Sequence, residues 1–193
     1  MLLMVAGALL FGFYTYLPNP AEVTEHLTDN ATRVQIAGYV GVVAAFFMLW
    51  FAGSAKTLLR SREGANGRLT AIAFGGTVSA GTGLALVFGL MTAAGARAGA
   101  DSGISDIAAV TLYDAYASLF TVAVGVGLAA LVGAFSIAGL RGEFLPRWAG
   151  WLGVVVAVGT VSPLAYLFVG PVAVYVLVLS LWGYRTGSRT ATL

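Results

Sequence analysis

The chain has 193 residues, of which 59% are hydrophobic and only 9% are charged, and its mean hydropathy is +0.91. A soluble globular chain is about a quarter charged, so this composition excludes a surface that faces water on all sides and predicts a membrane protein. The net charge of +2 is spread over short loops and the chain has no cysteine, which excludes a nucleic-acid-binding patch, disulfides, thiolate nucleophiles and cysteine-bound metals.

The first apolar segment covers residues 1–16 and is followed by Leu17 and Pro18. A helix of this length spans about 24 Å, slightly less than the ~30 Å hydrocarbon core of a bilayer. Because the segment lacks a basic n-region and a small-residue cleavage site before Pro18, a first membrane span is favoured over a secretory signal peptide. In the polar loop that follows, residues 17–34, Pro20 can occupy the first turn of a short helix.

Continuous apolar runs predict further spans at about residues 35–55, 69–94 and 107–140. The last apolar stretch, residues 147–185, allows three interpretations: one very long helix, a span with a re-entrant segment, or two spans that break near Ser162 and Pro163. Two spans, 147–162 and 164–185, place Arg185 and Arg189 on the same side as the other arginine-rich loops, so the charge pattern favours them.

The loop charges predict which side of the membrane each loop occupies. Eight of the ten basic residues fall on one side in the six-span arrangement: Lys56, Arg60, Arg62, Arg68, Arg141, Arg147, Arg185 and Arg189. The four tryptophans, Trp50, Trp148, Trp151 and Trp182, fall at the same ends of their spans. Basic loops and interfacial tryptophans are typical of the cytoplasmic side. The sequence therefore predicts an all-α polytopic membrane protein, one transmembrane domain over residues 1–193, with six helices in up-down order and both termini cytoplasmic.

Three segments carry a resemblance to known proteins: FFMLWFAG at residues 46–53, LRSREGANGRL at residues 59–69, and LPRWAGWLG at residues 145–153. In these segments and in its layout the chain resembles small multi-span membrane proteins of unknown function that are widespread in high-GC Gram-positive bacteria. The resemblance implies a multi-pass protein of the bacterial inner membrane. It implies no activity, because the segments are cytoplasmic turn signals that carry no chemistry.

An ionisable residue within a membrane span suggests a functional site, and Asp114 is the strongest candidate. Thr111, Asp114, Ser118 and Thr121 recur at spacings of three and four residues, which predicts one polar seam along the fourth helix. The seam could bind an ion or proton at the outer mouth of a pathway. The favoured alternative is a structural role for Asp114. Counting about 20 residues back from Arg141 places the outer boundary of the membrane near Leu119, so Asp114 lies at the interface and pairs with Arg33 or Arg97.

Small residues predict a helix-packing face on the third span. Its members are Gly75, Ser79, Thr82, Gly83 and Gly89. The face could be a seam between two copies of the chain, but packing against a neighbouring helix of the same bundle, here the fourth span, is the favoured interpretation.

The sequence offers no catalytic residue, metal site or cofactor site. His26 is the single histidine, and Glu22, Glu25 and His26 form only an open cluster on a loop. We therefore expect a structural or accessory membrane protein without enzymatic activity. Its partners would be the lipid bilayer and another membrane protein or a second copy, with no nucleic acid. The alternative function is a small transporter or binder of a lipophilic molecule or ion that uses the seam around Asp114.

Overall fold

A computed structural model describes residues 19–63, 67–142, 145–162, 171–172 and 174–175. The predicted first span and most of the predicted sixth lie outside these residues. The elements in chain order are α1 (Pro20–Asp29), α2 (Ala31–Glu63), α3 (Arg68–Ala98), α4 (Asp106–Leu119), a π-helical segment (Phe120–Val124), α5 (Gly125–Arg141) and α6 (Arg147–Thr160). The described part of the chain is thus all-helical.

Three helices are long and apolar enough to cross a membrane. They cover Ala31–Ser61, Arg68–Ala98 and Asp106–Arg141, with mean hydropathies of 1.9, 1.6 and 2.2. The third of them is α4, the π-helical segment and α5 in one continuous helix. With 31, 31 and 36 residues, the helices measure about 46 to 54 Å at about 1.5 Å per residue, well beyond a ~30 Å hydrocarbon core. Helices of this length tilt in the bilayer or project from it.

Local sequence signals explain where α1 begins and which face it buries. Pro20 stands in its first turn, and the Asn19 side chain caps it by accepting a hydrogen bond from the Ala21 amide at 3.1 Å. Val23 and Leu27, four residues apart, are its buried residues. They place α1 against the first turns of α4 and the last turns of α3, at the end of the bundle away from the arginine-rich turns.

Small residues allow α3 to lie in close contact with a helix on each of two sides. Toward α2, Gly81 lies under the Leu49 side chain and Gly95 lies beside the backbone of Gln35. Toward α5, Gly76 lies against the backbone of Gly127. A glycine at such a position lets two helix backbones approach more closely than any side chain would permit. α3 and α5 consequently lie at the centre of the buried core of the bundle.

The chain reverses direction after α6. The last described residues, 171–172 and 174–175, are helical, and Tyr175 is buried against α5 and α6. Its hydroxyl shares a hydrogen bond of 3.0 Å with Ser136, and a Cβ atom built at Gly153 would overlap its ring. In one straight helix Tyr175 would lie about 33 Å from Gly153. The structure therefore excludes a single straight helix over residues 147–185.

Candidate functional site

The four residues of the predicted polar seam share one face of the continuous α4–π helix, and all four are exposed. The opposite face, with Ala109, Leu112 and Tyr116, packs toward the rest of the bundle. Thr111 donates its hydroxyl hydrogen to the Ile107 carbonyl of its own helix at 2.7 Å. The seam therefore faces away from the described bundle, and no pathway through the bundle runs along it.

Asp114, Arg33 and Arg97 all lie on exposed surface. Within residues 19–63 and 67–142, Asp114 forms no ion pair with either arginine. The carboxylate that joins two elements in this region is Asp106, which accepts a hydrogen bond from Thr24 Oγ1 at 2.7 Å and ties α1 to α4. The predicted fourth span begins at residue 107 and leaves Asp106 in the preceding loop. Ser105 is the N-cap of α4, and an acidic residue directly after an N-cap serine is the signal that assigns Asp106 to the first helical turn.

The exposed face of this helix carries the seam residues together with Ile107, which is 82% exposed, and it is apolar beyond Thr121. The other seam residues precede Thr121 in the sequence. Val122 and Val126, which follow it, are 64% and 53% exposed. An exposed apolar face on a helix of this hydropathy is typical of contact with lipid. The seam thus occupies the half of the helix that contains α4.

A small cavity lies between α1, α2, α3 and α4, away from Thr121. It is lined by apolar and aromatic side chains that include Leu27, Val34, Met91 and Tyr116, and its volume is about 20 Å³. This is room for about one water molecule, whereas small-molecule sites measure roughly 300 to 1,000 Å³. The cavity is too small to hold a transported molecule.

The face of α3 that packs on the continuous α4–α5 helix matches the predicted face only in part. Gly83 is buried, and a Cβ atom built there would approach Ala123 and Val124 of the π-helical segment at 3.0 and 3.1 Å. Ser79 donates its hydroxyl hydrogen to the Ala123 carbonyl at 3.4 Å. The contacts with α5 itself use Gly76 and Ala80, which lie about 100° from Gly75 and Ser79 on the helix.

Three residues of the predicted packing face lie on an exposed stripe, which we define as Gly75, Thr82 and Gly89. Leu86, 53% exposed, lies on the same face between Thr82 and Gly89. A Cβ atom built at Gly75 or at Gly89 would meet no atom within 4 Å. These two glycines therefore serve no close contact among the described helices, although glycine inside a helix costs about 1 kcal/mol relative to alanine. The stripe is a close-packing surface that the described bundle leaves uncovered.

Glu63, the last residue of α2, is hydrogen-bonded to the first turn of α3. Its carboxylate accepts hydrogen bonds from the Leu69 and Thr70 amides at 2.6 and 2.7 Å and from the Thr70 hydroxyl at 2.8 Å. Partial desolvation raises the pKa of Glu63, but these hydrogen bonds together lower it by more, so that the pKa lies below its ordinary value. The carboxylate stays ionised at neutral pH and caps the first turn of α3.

The described ranges contain no group of three or more His, Cys, Asp or Glu side chains that could hold a metal ion. His26 lies in α1, which packs against α4 and α3. The buried hydroxyls of Thr77, Ser136 and Thr160 each donate to a backbone carbonyl one turn earlier, at 2.7 to 2.8 Å. Their hydroxyl hydrogens are donated within their own helices, and Ser136 Oγ also shares the hydrogen bond with Tyr175. None of the three lies beside a base that would make it a nucleophile.

A comparison of the chain with known protein families, curated proteins and solved structures finds no match in any of the three.

Proposed function

We propose that this chain is a structural or accessory protein of the bacterial inner membrane, which acts through helix–helix contacts with a second copy or with a larger membrane complex. The observation that carries the proposal is the exposed stripe on α3. In a bilayer there is little hydrophobic force between helices, so association depends on small residues that let two backbones approach. The open space above Gly75 and above Gly89 lets another helix approach there, and the exposed Leu86 side chain between them can pack against it.

The interior of the bundle supports a packing role. Its side chains are apolar or hydrogen-bonded, with no unsatisfied polar atom buried among the described residues. The cavity of about 20 Å³ between α1, α2, α3 and α4 is lined by apolar atoms and lies away from the polar seam. A transporter needs a site near the bilayer midplane at which substrate can bind. The alternative function, a transporter or binder that uses the seam around Asp114, is therefore the weaker one.

The proposal includes six membrane spans, with both termini in the cytoplasm. The reversal of the chain after α6 supports it, because Tyr175 returns to the level of Ser136 and Gly153. A hairpin of two helices over residues 147–185 would bring Arg185 back to the side of Arg147. A reporter domain fused after Leu193 tests this topology, and an external reporter would contradict it.

Native mass spectrometry after mild detergent extraction from the source membrane tests the proposed function. We expect a discrete complex, either with a second copy or with another protein. Gly75→Leu and Gly89→Leu should dissociate it, because a large side chain blocks the close approach of another helix. Gly53→Leu is the matched control, since a Cβ atom at Gly53 on α2 also meets nothing within 4 Å.

Two results would contradict the proposal. One is a monomer that retains a small molecule, which would favour the transporter or binder. The other is a complex that Gly75→Leu and Gly53→Leu affect equally. For the alternative function, Asp114→Asn is the informative variant: a transporter should lose ion-linked activity while it stays folded.

A further inference from the structure

An exposed cation lies where α2 and α3 meet. Lys56 directly follows the apolar run of residues 35–55, and its Nζ lies 5.0 Å from the centroid of the Phe74 ring on α3. Its side chain is exposed, and it forms no ion pair with any residue in the described part of the chain. An ionisable residue at the end of a membrane span is a candidate binding group for a charged ligand.

Arg60 supplies a second cation beside Lys56. It lies four residues later on α2 and is also exposed, so the two side chains share one helix face, with their Cβ atoms about 5 to 6 Å apart. Glu63 is the acidic residue of α2, and its carboxylate accepts hydrogen bonds from the Leu69 and Thr70 amides. Two cations one helical turn apart can therefore contact the same anionic group.

An apolar edge continues from Lys56 toward the middle of the bundle. The contacts of α2 with the Phe74 ring and with Gly81 are seven residues apart on both helices, so they lie along the same edge of the α2–α3 interface. The Leu49 side chain, 39% exposed, lies over Gly81. Between Leu49 and Lys56, a Cβ atom built at Gly53 would meet no atom within 4 Å. Gly53 thus leaves a gap on this edge.

We propose that this edge binds an anionic phospholipid, with its phosphate between Lys56 and Arg60. One acyl chain occupies the gap at Gly53 and contacts Leu49 and Phe74. The cations lie nearer the end of α2 and the apolar gap lies nearer its middle, which is the order in which a phospholipid presents its phosphate and its chains.

Charge complementarity selects the headgroup. A choline group brings a positive charge of its own to the two cations, whereas a headgroup with net negative charge does not. The Phe74 ring holds the Lys56 ammonium by a cation–π contact beside the apolar gap. The inference rests on the membrane location proposed above.

Native mass spectrometry of the full chain, from micelles with equal amounts of phosphatidylglycerol and phosphatidylcholine, tests the proposal. The wild type should retain phosphatidylglycerol in preference. Lys56→Gln and Arg60→Gln should each weaken that preference about fivefold, the effect of one basic side chain near an anionic lipid, and Lys56→Arg should keep it. Arg141→Gln is the matched control, because Arg141 is an exposed arginine at the same end of the bundle but on α5, across α3 from α2. It should leave the ratio of the two lipids unchanged.

Two glycine variants separate this proposal from the proposed function. Gly53→Leu fills the gap and should lower the retention of phosphatidylglycerol, while the protein complex stays intact. Gly89→Leu should do the reverse, because Gly89 belongs to the exposed stripe and lies 15 residues from Phe74 on α3, about 22 Å along the helix. Failure of one proposal is therefore distinguishable from failure of the other.

Equal retention of the two lipids by the wild type would overturn the proposal, as would retention of neither lipid. A loss of preference in Arg141→Gln as large as in Lys56→Gln would also overturn it. Displacement of the lipid by millimolar inorganic phosphate would assign the two cations to a free anion and contradict the lipid site. Since all the substituted residues are exposed, the variants should fold, and the thermal unfolding of each variant in the same micelles checks this.

Discussion

Gly75 and Gly76 are neighbours in the sequence, and the structure predicts opposite effects when each is replaced by alanine. A Cβ atom at Gly76 would lie 2.6 Å from the Gly127 carbonyl oxygen and 2.8 Å from Ala130 Cβ and the Leu131 amide. Two of these three atoms belong to the α5 backbone and cannot turn away as a side chain can. Since ordinary contacts of a Cβ atom begin near 3.4 Å, α3 and α5 must separate by about half an ångström or more. Overpacking of this kind costs about 1 to 3 kcal/mol.

Gly75→Ala introduces the same methyl group into open space, since nothing lies within 4 Å of its position. Alanine also favours a helix by about 1 kcal/mol over glycine. We therefore expect Gly75→Ala to be neutral or stabilising. Because the helix-propensity gain is common to both variants, they should differ in free energy of unfolding by the overpacking cost, about 1 to 3 kcal/mol. Equilibrium unfolding by SDS in mixed micelles measures this through the fluorescence of the four tryptophans. Equal destabilisation by the two variants would refute the assigned face of α3.

Two further predictions concern hydrogen bonds at other places in the bundle. The Ser136 hydroxyl donates to the Val132 carbonyl at 2.7 Å, so Tyr175 is the donor in the 3.0 Å bond between the Ser136 and Tyr175 hydroxyls. A double-mutant cycle of Ser136→Ala and Tyr175→Phe should give a coupling free energy of about 0.6 kcal/mol, and no more than about 1.7 kcal/mol. A coupling of zero would contradict the reversal of the chain. Because the pKa of Glu63 is lowered in the folded protein, its stabilising contribution is present at neutral pH and is lost as the pH falls below the ordinary glutamate value of about 4.3. Glu63→Gln should therefore lower the melting temperature at pH 7 and flatten the decline at acid pH, whereas Glu25→Gln, an exposed change on α1, should leave the melting temperature at pH 7 unchanged.

The helices themselves could be predicted because continuous apolar runs of membrane length admit few other structures. The runs at residues 35–55, 69–94 and 107–140 lie within α2, within α3 and within the α4–α5 helix. Hydropathy could not give the full lengths, because the polar ends of the helices near Arg33, Arg97 and Asp106 look like loops. The π-helical segment at Phe120–Val124 has no signal in the sequence, since it depends on how α4 and α5 meet α3.

The sequence predicts that α3 has a packing face of small residues, but it does not determine which residues form that face. Residues 75–83 contain Gly75, Gly76, Ser79, Ala80 and Gly83, so two adjacent faces satisfy the rule of small residues every four positions. Which of them meets α5 depends on the position of α5 and therefore on tertiary contacts. The residues Thr111, Asp114, Ser118 and Thr121 do share a face, because that follows from helical periodicity alone. Whether such a face turns inward or outward does not follow from periodicity.

Cysteine cross-linking in intact membranes tests most directly whether the exposed stripe of α3 contacts another protein. The natural chain has no cysteine, so Gly75→Cys, Gly89→Cys and Gly53→Cys each carry a single thiol. We expect a bifunctional thiol reagent or mild oxidation to give a covalent dimer, or an adduct with one partner, from Gly75→Cys and Gly89→Cys but not from Gly53→Cys. The absence of any adduct from the stripe, with thiol labelling as fast as at Gly53→Cys, would contradict the proposed role.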